Sequence, residues 1–360
     1  MKIDFLPRSG VNQYISEYDA IKYLDEVLEN FKKPVVVTGC KSFDVFSKYY
    51  NGKYSFNVIR YDETASLEDM NRISKLVEEN TDVVIAIGGG RVLDTAKGVA
   101  DLLNIDYITI PTVLATCACI SPVAAVYHPD HSFRQVDYYN RSAYCCIVDL
   151  NLLLNDSPVD YFVAGIGDTL AKWYEAIVLV ENTDKMNDPL IKFGIEAAKI
   201  TRDVLLKESK EALSNMIAKK YTQSFKYCVD TIFIISASVG GFAVEYGRMS
   251  GAHSIHNGLS LIKETHNILH GNKVAYGILV QLVAEDKIDE VKNLIKFYKE
   301  NKLPYSLECI NIVNNIDDKI QKIAEFSASE KETFRYVIKD VTPKIIENAI
   351  YKLEQIVKQN

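Results

Sequence analysis

The first 150 residues alternate short apolar runs with segments of helical periodicity. Four runs rich in valine and isoleucine cover residues 34–39, 82–87, 107–110 and 146–149. They lack the apolar–polar alternation of a half-exposed strand, so both faces of each strand should be buried, as in a parallel sheet covered by helices. Residues 67–79 and 93–103, between the runs, have helical spacing. This order predicts an α/β fold.

A change of pattern after about residue 155 divides the chain into two parts. Ser157 and Pro158 are of the types preferred at a helix N-cap and at the first helical position. Most later segments have helical periodicity, and 360 residues exceed the roughly 250–300 at which a single core stops growing. We therefore expect an α/β domain over residues 1–152 and an all-helical domain over residues 153–360.

Composition and charge narrow the classes of protein that fit this sequence. Apolar residues make up 48 % of the chain and charged residues 25 %, which are ordinary fractions for a folded protein. The net charge of −7 argues against nucleic-acid binding, which uses a basic face. Seven cysteines cannot all pair, and we find neither a signal-peptide core nor an apolar run of membrane length. We expect a soluble cytoplasmic protein with free thiols.

A glycine-rich loop lies where the second apolar run passes into a helix. It begins with Gly88, Gly89 and Gly90 and continues to Lys97. Glycines let the backbone approach a bulky anion, and a helix N-terminus offers free N–H groups, so the loop suits a pyrophosphate. A tight turn without a ligand is the alternative. A second loop, residues 110–117, brings hydroxyls to the same sheet edge, unless it is a simple loop initiated by proline.

Four of the six histidines fall between residues 253 and 270. On a helix, His253 and His256 share one face, about 5–6 Å apart at Cβ, and the following loop can return His270 to the same point. Imidazole binds zinc and iron, so the group predicts a metal site; hydrogen-bonded histidines at helix ends are the alternative. Catalytic zinc has three protein ligands, and Asp168 is the best third donor. The alternative partner of Asp168 is Lys172, one turn later.

The order of the motifs is more specific than any one of them. They are Gly-Gly-Gly-x-x-x-Asp-Thr-Ala-Lys, Pro-Thr with Thr-Cys-Ala, Gly-Ile-Gly-Asp, His-x-x-His-Asn-Gly and His-Gly-x-Lys-Val-Ala. In this order they resemble the iron-containing alcohol dehydrogenase superfamily, in its glycerol dehydrogenase branch, over nearly the whole chain. Within that branch, residues 165–175 and 270–281 most resemble the hydroxycarboxylate dehydrogenases, which reduce 2-oxoacids.

The resemblance implies a dehydroquinate-synthase-like fold, with a Rossmann-like nucleotide-binding domain, a helical catalytic domain and a cleft between them. It implies that Asp168, His253 and His270 bind one divalent metal, zinc or iron, and that His256 is a catalytic residue that relays a proton. The implied nucleotide contacts are Gly90, Arg91, Asp94, Thr112, Thr116, Ser121, Val123 and Tyr127. Gly88, Gly89 and Lys97 belong to the same predicted nucleotide site.

Two positions depart from the glycerol dehydrogenase pattern. Cys117 stands where that branch has a substrate-facing aspartate, and a thiol is a poor replacement for a carboxylate that accepts hydroxyl protons. The hydroxycarboxylate dehydrogenases also have cysteine there, which places Cys117 at the substrate. Cys40 stands where the branch has an aspartate that bonds the adenosine ribose and repels a 2′-phosphate. Its absence, with Lys41 beside it, favours NADP over NAD; a solvated surface lysine is the alternative.

We therefore expect a metal-dependent NAD(P)-linked oxidoreductase that interconverts a small 2-oxoacid, or a hydroxyketone, and its alcohol by hydride transfer. The alternatives are a glycerol dehydrogenase that uses NAD, a dehydroquinate-synthase-like lyase and a non-catalytic metabolite-binding protein. The lyase needs several basic residues for a sugar phosphate, which these motifs lack, and the intact metal ligands argue against lost activity. The family also implies a homo-oligomer, and we expect neither nucleic acid nor a membrane as a partner.

Overall fold

Eight strands in the described residues, 6–181 and 183–359 of this computed structural model, form one large sheet and a separate pair. In chain order they are β1 Gln13–Glu17, β2 Pro34–Thr38, β3 Asn57–Arg60, β4 Val83–Gly88, β5 Asp106–Pro111, β6 Val123–Tyr127, β7 Phe133–Tyr138 and β8 Cys145–Asp149. Six strands form a parallel sheet in the order β1-β8-β5-β4-β2-β3. Strands β6 and β7 form an antiparallel hairpin.

The α-helices lie between these strands and after the last of them. Up to residue 156 they are α1 Leu24–Leu28, α2 Cys40–Ser47, α3 Leu67–Leu76, α4 Gly90–Leu103 and α5 Leu150–Asp156. Beyond it they are α6 Val159–Val180, α7 Pro189–Ile217, α8 Gln223–Asp230, α9 Ser236–Phe242, α10 Gly251–Leu259, α11 His270–Ala284, α12 Ile288–Asn301, α13 Ile316–Ser327 and α14 Pro343–Gln359. No strand follows β8 in the part of the chain that the structure describes. The predicted fold class, a parallel α/β part followed by a helical part, is confirmed.

The four apolar runs become strands β2, β4, β5 and β8, as predicted. Every residue of β4 and β8 is buried, as expected of strands in a parallel sheet covered on both faces. Thr38 on β2 pairs with Ile87 on β4, and Gly88 on β4 pairs with Pro111 on β5. The loops that follow these three strands therefore begin at the same edge of the sheet, where α/β proteins bind ligands.

The pattern of apolar runs does not predict β1, β3, β6 or β7. Most residues of these strands are exposed or half-buried, and β1, β3 and β7 lack a continuous apolar run. β6 is apolar throughout in sequence, but buried and half-buried residues alternate along it. The expected cap of α6 also differs, because the helix begins at Val159. The Ser157 hydroxyl instead accepts a hydrogen bond from the backbone N–H of Leu114 at 2.9 Å.

The chain divides into two compact units, which we call the sheet unit and the helical unit. The sheet unit consists of Ser9–Val159 and Asn215–Ala237. The helical unit consists of residues 6–8, 160–181, 183–214 and 238–359. These bounds lie a few residues beyond the predicted boundary at residue 152 and add a later segment to the sheet unit.

Polar contacts join this later segment to the edge strand of the sheet unit. Asp230 accepts hydrogen bonds from Tyr14 at 2.8 Å and from Ser16 at 2.6 Å, both on β1. Lys226 donates to the backbone oxygen of Ser16 at 2.7 Å. The helical stretch Gln223–Phe242 that carries these residues is long and apolar enough to cross a membrane by length and composition alone. Core helices of soluble proteins share this length and composition.

Candidate active site

The three predicted metal ligands meet in the helical unit. Asp168 lies on α6, His253 lies on α10, and His270 is the first residue of α11. One ligand atom from each residue lies within 4.8 Å of the other two. Nε2 of His270 is 3.2 Å from Oδ1 of Asp168, and Nε2 of His253 is 3.5 Å from the same oxygen. Two imidazoles and a carboxylate form a ligand set of the size that catalytic zinc uses.

Close contact between α6 and α11 places Asp168 beside His270. A Cβ on Gly271 would overlap the backbone carbonyl of Ala164, and a Cβ on Gly167 would overlap the backbone oxygen of Gly271. Glycine at both positions lets the two backbones touch where the ligands project. Because Gly167 precedes Asp168 and Gly271 follows His270, the same contact sets the separation of the two ligands.

The buried carboxylate of Glu175 orients His253. Its Oε2 is 2.7 Å from Nδ1 of His253, and its Oε1 accepts from the backbone N–H groups of Ser250 at 2.8 Å and His253 at 2.9 Å. Because a carboxylate accepts, His253 donates through Nδ1 and directs Nε2 toward Asp168. A carboxylate behind a ligating histidine is the usual outer partner of protein metal sites, so these residues fit a divalent metal.

The charges around His253 favour a cation at its Nε2. Burial alone would raise the pKa of Asp168, but hydrogen bonds from His253 and His270 hold that pKa well below its ordinary value. Burial alone would lower the pKa of His253, but the Glu175 and Asp168 carboxylates raise it to about 9. A proton and a metal ion compete for one position in such a site, so metal binding would release a proton.

His256 lies behind His270 and is not among the three converging ligands. Its Nε2 is 2.9 Å from Nδ1 of His270, and its Nδ1 is 3.0 Å from Oδ1 of Asn257. Nδ2 of Asn257 lies 3.2 and 3.1 Å from the two carboxylate oxygens of Glu332. Burial, with the nearby charges of His270 and Lys273, holds the pKa of His256 well below its ordinary value, so its ring is neutral. Both ring nitrogens have protein partners, and the proton relay through His256 stays a prediction.

The histidines cluster as the spacing predicts. The ring centroid of His270 lies 5.4 Å from that of His253 and 4.2 Å from that of His256. His266 is exposed and does not belong to the group of converging ligand atoms. Lys172 was the alternative partner of Asp168. Its charge contributes to the low pKa of that carboxyl, but the hydrogen bonds that contribute more come from the histidines.

In the sheet unit, the predicted nucleotide-binding glycines lie at the start of α4. Gly88 is the last residue of β4, and Gly90 is the first residue of α4. Gly89 lies at the N-cap position, where it has no side chain to cap the helix. A Cβ on Gly90 would meet nothing closer than Ala118 Cβ at 3.9 Å and Thr116 Oγ1 at 4.0 Å, so the space beside it is open. The N–H groups of a first helical turn have no partner within the helix. This arrangement fits a pyrophosphate.

Asp94 and Lys97 connect α4 to β6. Oδ1 of Asp94 accepts from Lys97 at 2.8 Å, and its Oδ2 accepts from the N–H of Ala125 at 3.1 Å. Lys97 also donates to the backbone oxygen of Val123 at 2.7 Å. Both charged side chains are buried and engaged with protein groups, so their contact with a nucleotide stays a prediction. Through these bonds they position Val123, another predicted contact.

The other predicted nucleotide and substrate residues follow the same edge of the sheet. The Arg91 guanidinium lies 4.9 Å from the centroid of the Tyr127 ring and 3.2 Å from the backbone oxygen of Glu63. The Ser121 hydroxyl accepts from the N–H of Val123 at 3.2 Å. The loop after β5 contains buried Thr112 and half-buried Thr116 and Cys117, and the first turn of α2 contains exposed Cys40 and Lys41.

No pattern in the sequence assigned a role to Glu175, Asn257 or Glu332. Glu175 contacts the candidate ligand His253 directly, whereas Glu332 and Asn257 reach the candidate ligand His270 through His256. Glu175 comes about two turns after Asp168 on the same helix, so this spacing predicts that both side chains lie on one face of it. Asn257 directly follows His256 and belongs to the histidine motif. Glu332 lies 75 positions after Asn257, so only the fold shows their contact.

Comparison with known proteins identifies the family. A family model described as iron-containing alcohol dehydrogenase matches residues 12–150. Hydroxycarboxylate dehydrogenase A of Escherichia coli (strain K12) is 36 % identical over 290 residues, which cover 80 % of this chain and 79 % of the relative. A glycerol dehydrogenase of Thermotoga maritima is 32 % identical over 340 residues, which cover 92 % of each chain.

A solved structure agrees with these relatives. The crystal structure of glycerol dehydrogenase from Schizosaccharomyces pombe has a TM-score of 0.88 at 25 % identity and covers 99 % of this chain and 92 % of its own. The resemblance predicted from the motifs and the enzyme class are confirmed. The chain therefore belongs to the iron-containing alcohol dehydrogenase family, as an alcohol or hydroxyacid dehydrogenase.

Proposed function

We propose that the protein is a metal-dependent NAD(P)-linked oxidoreductase that interconverts a small 2-oxoacid, or a hydroxyketone, and its alcohol by hydride transfer. The observation that carries this proposal is the convergence of ligand atoms from Asp168, His253 and His270 in a chain of this family. The name of the Escherichia coli relative supports a hydroxycarboxylate substrate. Cys117, which stands where the glycerol dehydrogenase branch has an aspartate, supports the same choice.

Asp168, His253 and His270 would hold one divalent metal, zinc or iron. Such an ion is a Lewis acid, which polarises a substrate carbonyl and stabilises the alkoxide form of an alcohol. Asp168 contributes the negative charge of the ligand set, and Glu175 keeps His253 in the orientation that this role requires. Asp168 and His253 are buried, so they exclude water from their side of the metal and strengthen its charge interactions.

The glycine loop would bind the pyrophosphate of the nicotinamide nucleotide, which accepts or supplies the hydride. Membership in this family implies NAD(H). The first turn of α4 supplies N–H groups and the positive end of a helix dipole. Arg91, which rests on the Tyr127 ring, adds a positive charge close to that turn. We propose NADP as the preferred form because Cys40 leaves the ribose position without a carboxylate that would repel a 2′-phosphate.

Cys40→Asp should shift the coenzyme preference from NADP toward NAD by about tenfold or more in the ratio of kcat/KM values, since like charges repel at close range. The check is steady-state kinetics with both coenzymes at a fixed substrate concentration. Cys309→Asp is the matched control, because Cys309 is an exposed cysteine of the helical unit. An unchanged ratio in Cys40→Asp would remove the basis for the NADP assignment.

The experiment that tests the proposed function is a coenzyme-depletion assay on chelator-treated protein with NADPH and NADH. Zinc, iron(II), manganese or nickel is added back singly, and the substrates are 2-oxobutanoate, 2-oxoglutarate, dihydroxyacetone and simple aldehydes. We expect turnover of a 2-oxoacid only after metal addition. Turnover that is equally fast without metal would contradict the proposal.

Glycerol oxidation with NAD is the second candidate function. The Thermotoga maritima relative and the Schizosaccharomyces pombe structure, both named glycerol dehydrogenase, favour it. Cys117 argues against it, since a thiol accepts the hydroxyl hydrogen bonds of a polyol poorly. Faster turnover of dihydroxyacetone with NADH than of any 2-oxoacid would establish this function and make the interpretation of both cysteines wrong.

We further propose a cytoplasmic homo-oligomer that acts on small molecules. All seven cysteines are free, which is typical of proteins from a reducing compartment. The net charge of −7 gives no electrostatic attraction for nucleic acid or for an anionic membrane.

A further inference from the structure

Hydrogen bonds run from Glu332 through Asn257 and His256 to His270, whose Nε2 faces Asp168. We propose that Glu332 is a positioning residue that sets, through Asn257 and His256, the tautomer in which His270 keeps its proton on Nδ1 and offers Nε2 to the metal. The proposal rests on the metal site of the proposed function. It gives His256 the task of orienting a ligand.

The carboxylate of Glu332 fixes which groups donate and which accept along this series of hydrogen bonds. Glu332 accepts hydrogen bonds and cannot donate them when ionised, so the Asn257 group that lies 3.1–3.2 Å from its oxygens is the amide NH₂. The opposite end of that amide is then the carbonyl oxygen. This oxygen lies 3.0 Å from Nδ1 of His256 and requires a donor there.

The donor and acceptor nitrogens of the two imidazoles follow from the position of the Asn257 oxygen. The Asn257 oxygen holds a proton on Nδ1 of His256, and a ring with that single proton accepts at Nε2. That acceptor lies 2.9 Å from Nδ1 of His270, which must therefore carry a proton. Nε2 of His270, 3.2 Å from Oδ1 of Asp168, is then the ring nitrogen that is left to bind a cation.

Further bonds hold Glu332 against α10, which carries both Asn257 and His256. The N–H of Thr333 donates to the Ser254 hydroxyl at 3.1 Å, and the Thr333 hydroxyl donates to the backbone oxygen of Ser250 at 2.7 Å. Arg335 donates to the backbone oxygen of Glu332 at 3.2 Å. The carboxylate is half-buried, so water competes with Asn257 only in part.

The two candidate histidine ligands thus both keep a proton on Nδ1, but different groups hold it there. Glu175 contacts Nδ1 of His253 directly at 2.7 Å, whereas Glu332 acts on His270 through two intervening side chains. This difference supplies an internal comparison. A change at Glu332 should alter the imidazoles of His256 and His270 and leave that of His253 in place.

Glu332→Ala and Glu332→Gln test the proposal together. The alanine variant leaves the Asn257 amide free to turn, whereas glutamine keeps one oxygen that accepts from it. Zinc affinity, measured by competition with a chromogenic chelator, should fall roughly 10–100-fold in Glu332→Ala, the usual effect of losing an outer partner, and about twofold or less in Glu332→Gln. Glu354→Ala is the control, because Glu354 also accepts side-chain and backbone hydrogen bonds in the helical unit but stands outside this series of hydrogen bonds.

Imidazole ¹⁵N signals of the metal-free protein provide a readout that does not depend on zinc. In the wild type and in Glu332→Gln, the proton of His256 should reside on Nδ1, and in Glu332→Ala it should move in part to Nε2. A wild-type His256 with its proton on Nε2, or a Glu332→Ala variant with wild-type zinc affinity, would overturn the proposal. Failure of the wild type to bind any metal would instead overturn the proposed function, while the ¹⁵N signals would still report the tautomer.

Discussion

Asp168→Ala should abolish metal binding and turnover while the protein stays folded. Asp168 is the only anion among the three converging ligands, and its Oδ1 is the atom nearest to both imidazoles. Loss of a ligand should cost more than the roughly 10–100-fold in affinity that loss of an outer partner costs. Loss of a Lewis acid removes several kcal/mol of transition-state stabilisation, so kcat/KM should fall by about 10³-fold or more.

Metal content by mass spectrometry, zinc affinity by chelator competition and turnover after reconstitution check this prediction. His253→Ala should behave in the same way, because it removes a second ligand. The matched control is Asp149→Ala, which removes a buried carboxylate that caps α5 in the sheet unit. That control should lose about 0.5–2 kcal/mol of stability and keep its metal. Full metal content and turnover in Asp168→Ala would make the ligand assignment wrong.

Gly271→Ala should both destabilise the helical unit and weaken metal binding. The added Cβ would overlap the backbone carbonyl of Ala164, and a backbone atom cannot move aside as a flexible side chain can. Overpacking costs typically 1–3 kcal/mol and occasionally more, and this contact belongs at the upper end of that range. Since α6 and α11 must separate to admit the methyl group, Asp168 and His270 should move apart and zinc affinity should fall with stability.

Gly240→Ala is the matched control for this substitution. Gly240 lies within α9, and its added Cβ would meet only the backbone oxygen of Gly247 at 3.5 Å, an ordinary contact. Alanine favours a helix interior over glycine by about 1 kcal/mol, so this variant should unfold at the wild-type temperature or above. Thermal unfolding and chelator competition compare the two variants. Equal midpoints and equal affinities would show that the contact at Gly271 tolerates a methyl group.

Much of the fold and part of the site follow from the sequence alone. The valine- and isoleucine-rich runs predicted β2, β4, β5 and β8, because a strand buried on both faces must be continuously apolar. The glycine loop and the histidine cluster were also visible, since backbone freedom and metal chemistry restrict residue types within a short window. The ordered motifs indicated the family, which the relatives confirm.

The tertiary structure decided which distant groups meet. The sequence allows either a metal or Lys172 as the partner of Asp168. The packing of α6, α10 and α11 places Asp168 beside two imidazoles. The contact of Glu332 with Asn257 and the packing of residues 215–237 in the sheet unit likewise depend on segments far apart in the chain. Periodicity reports only which face of an element is buried, whereas a hydrogen-bond partner is chosen by the packing of whole elements against one another.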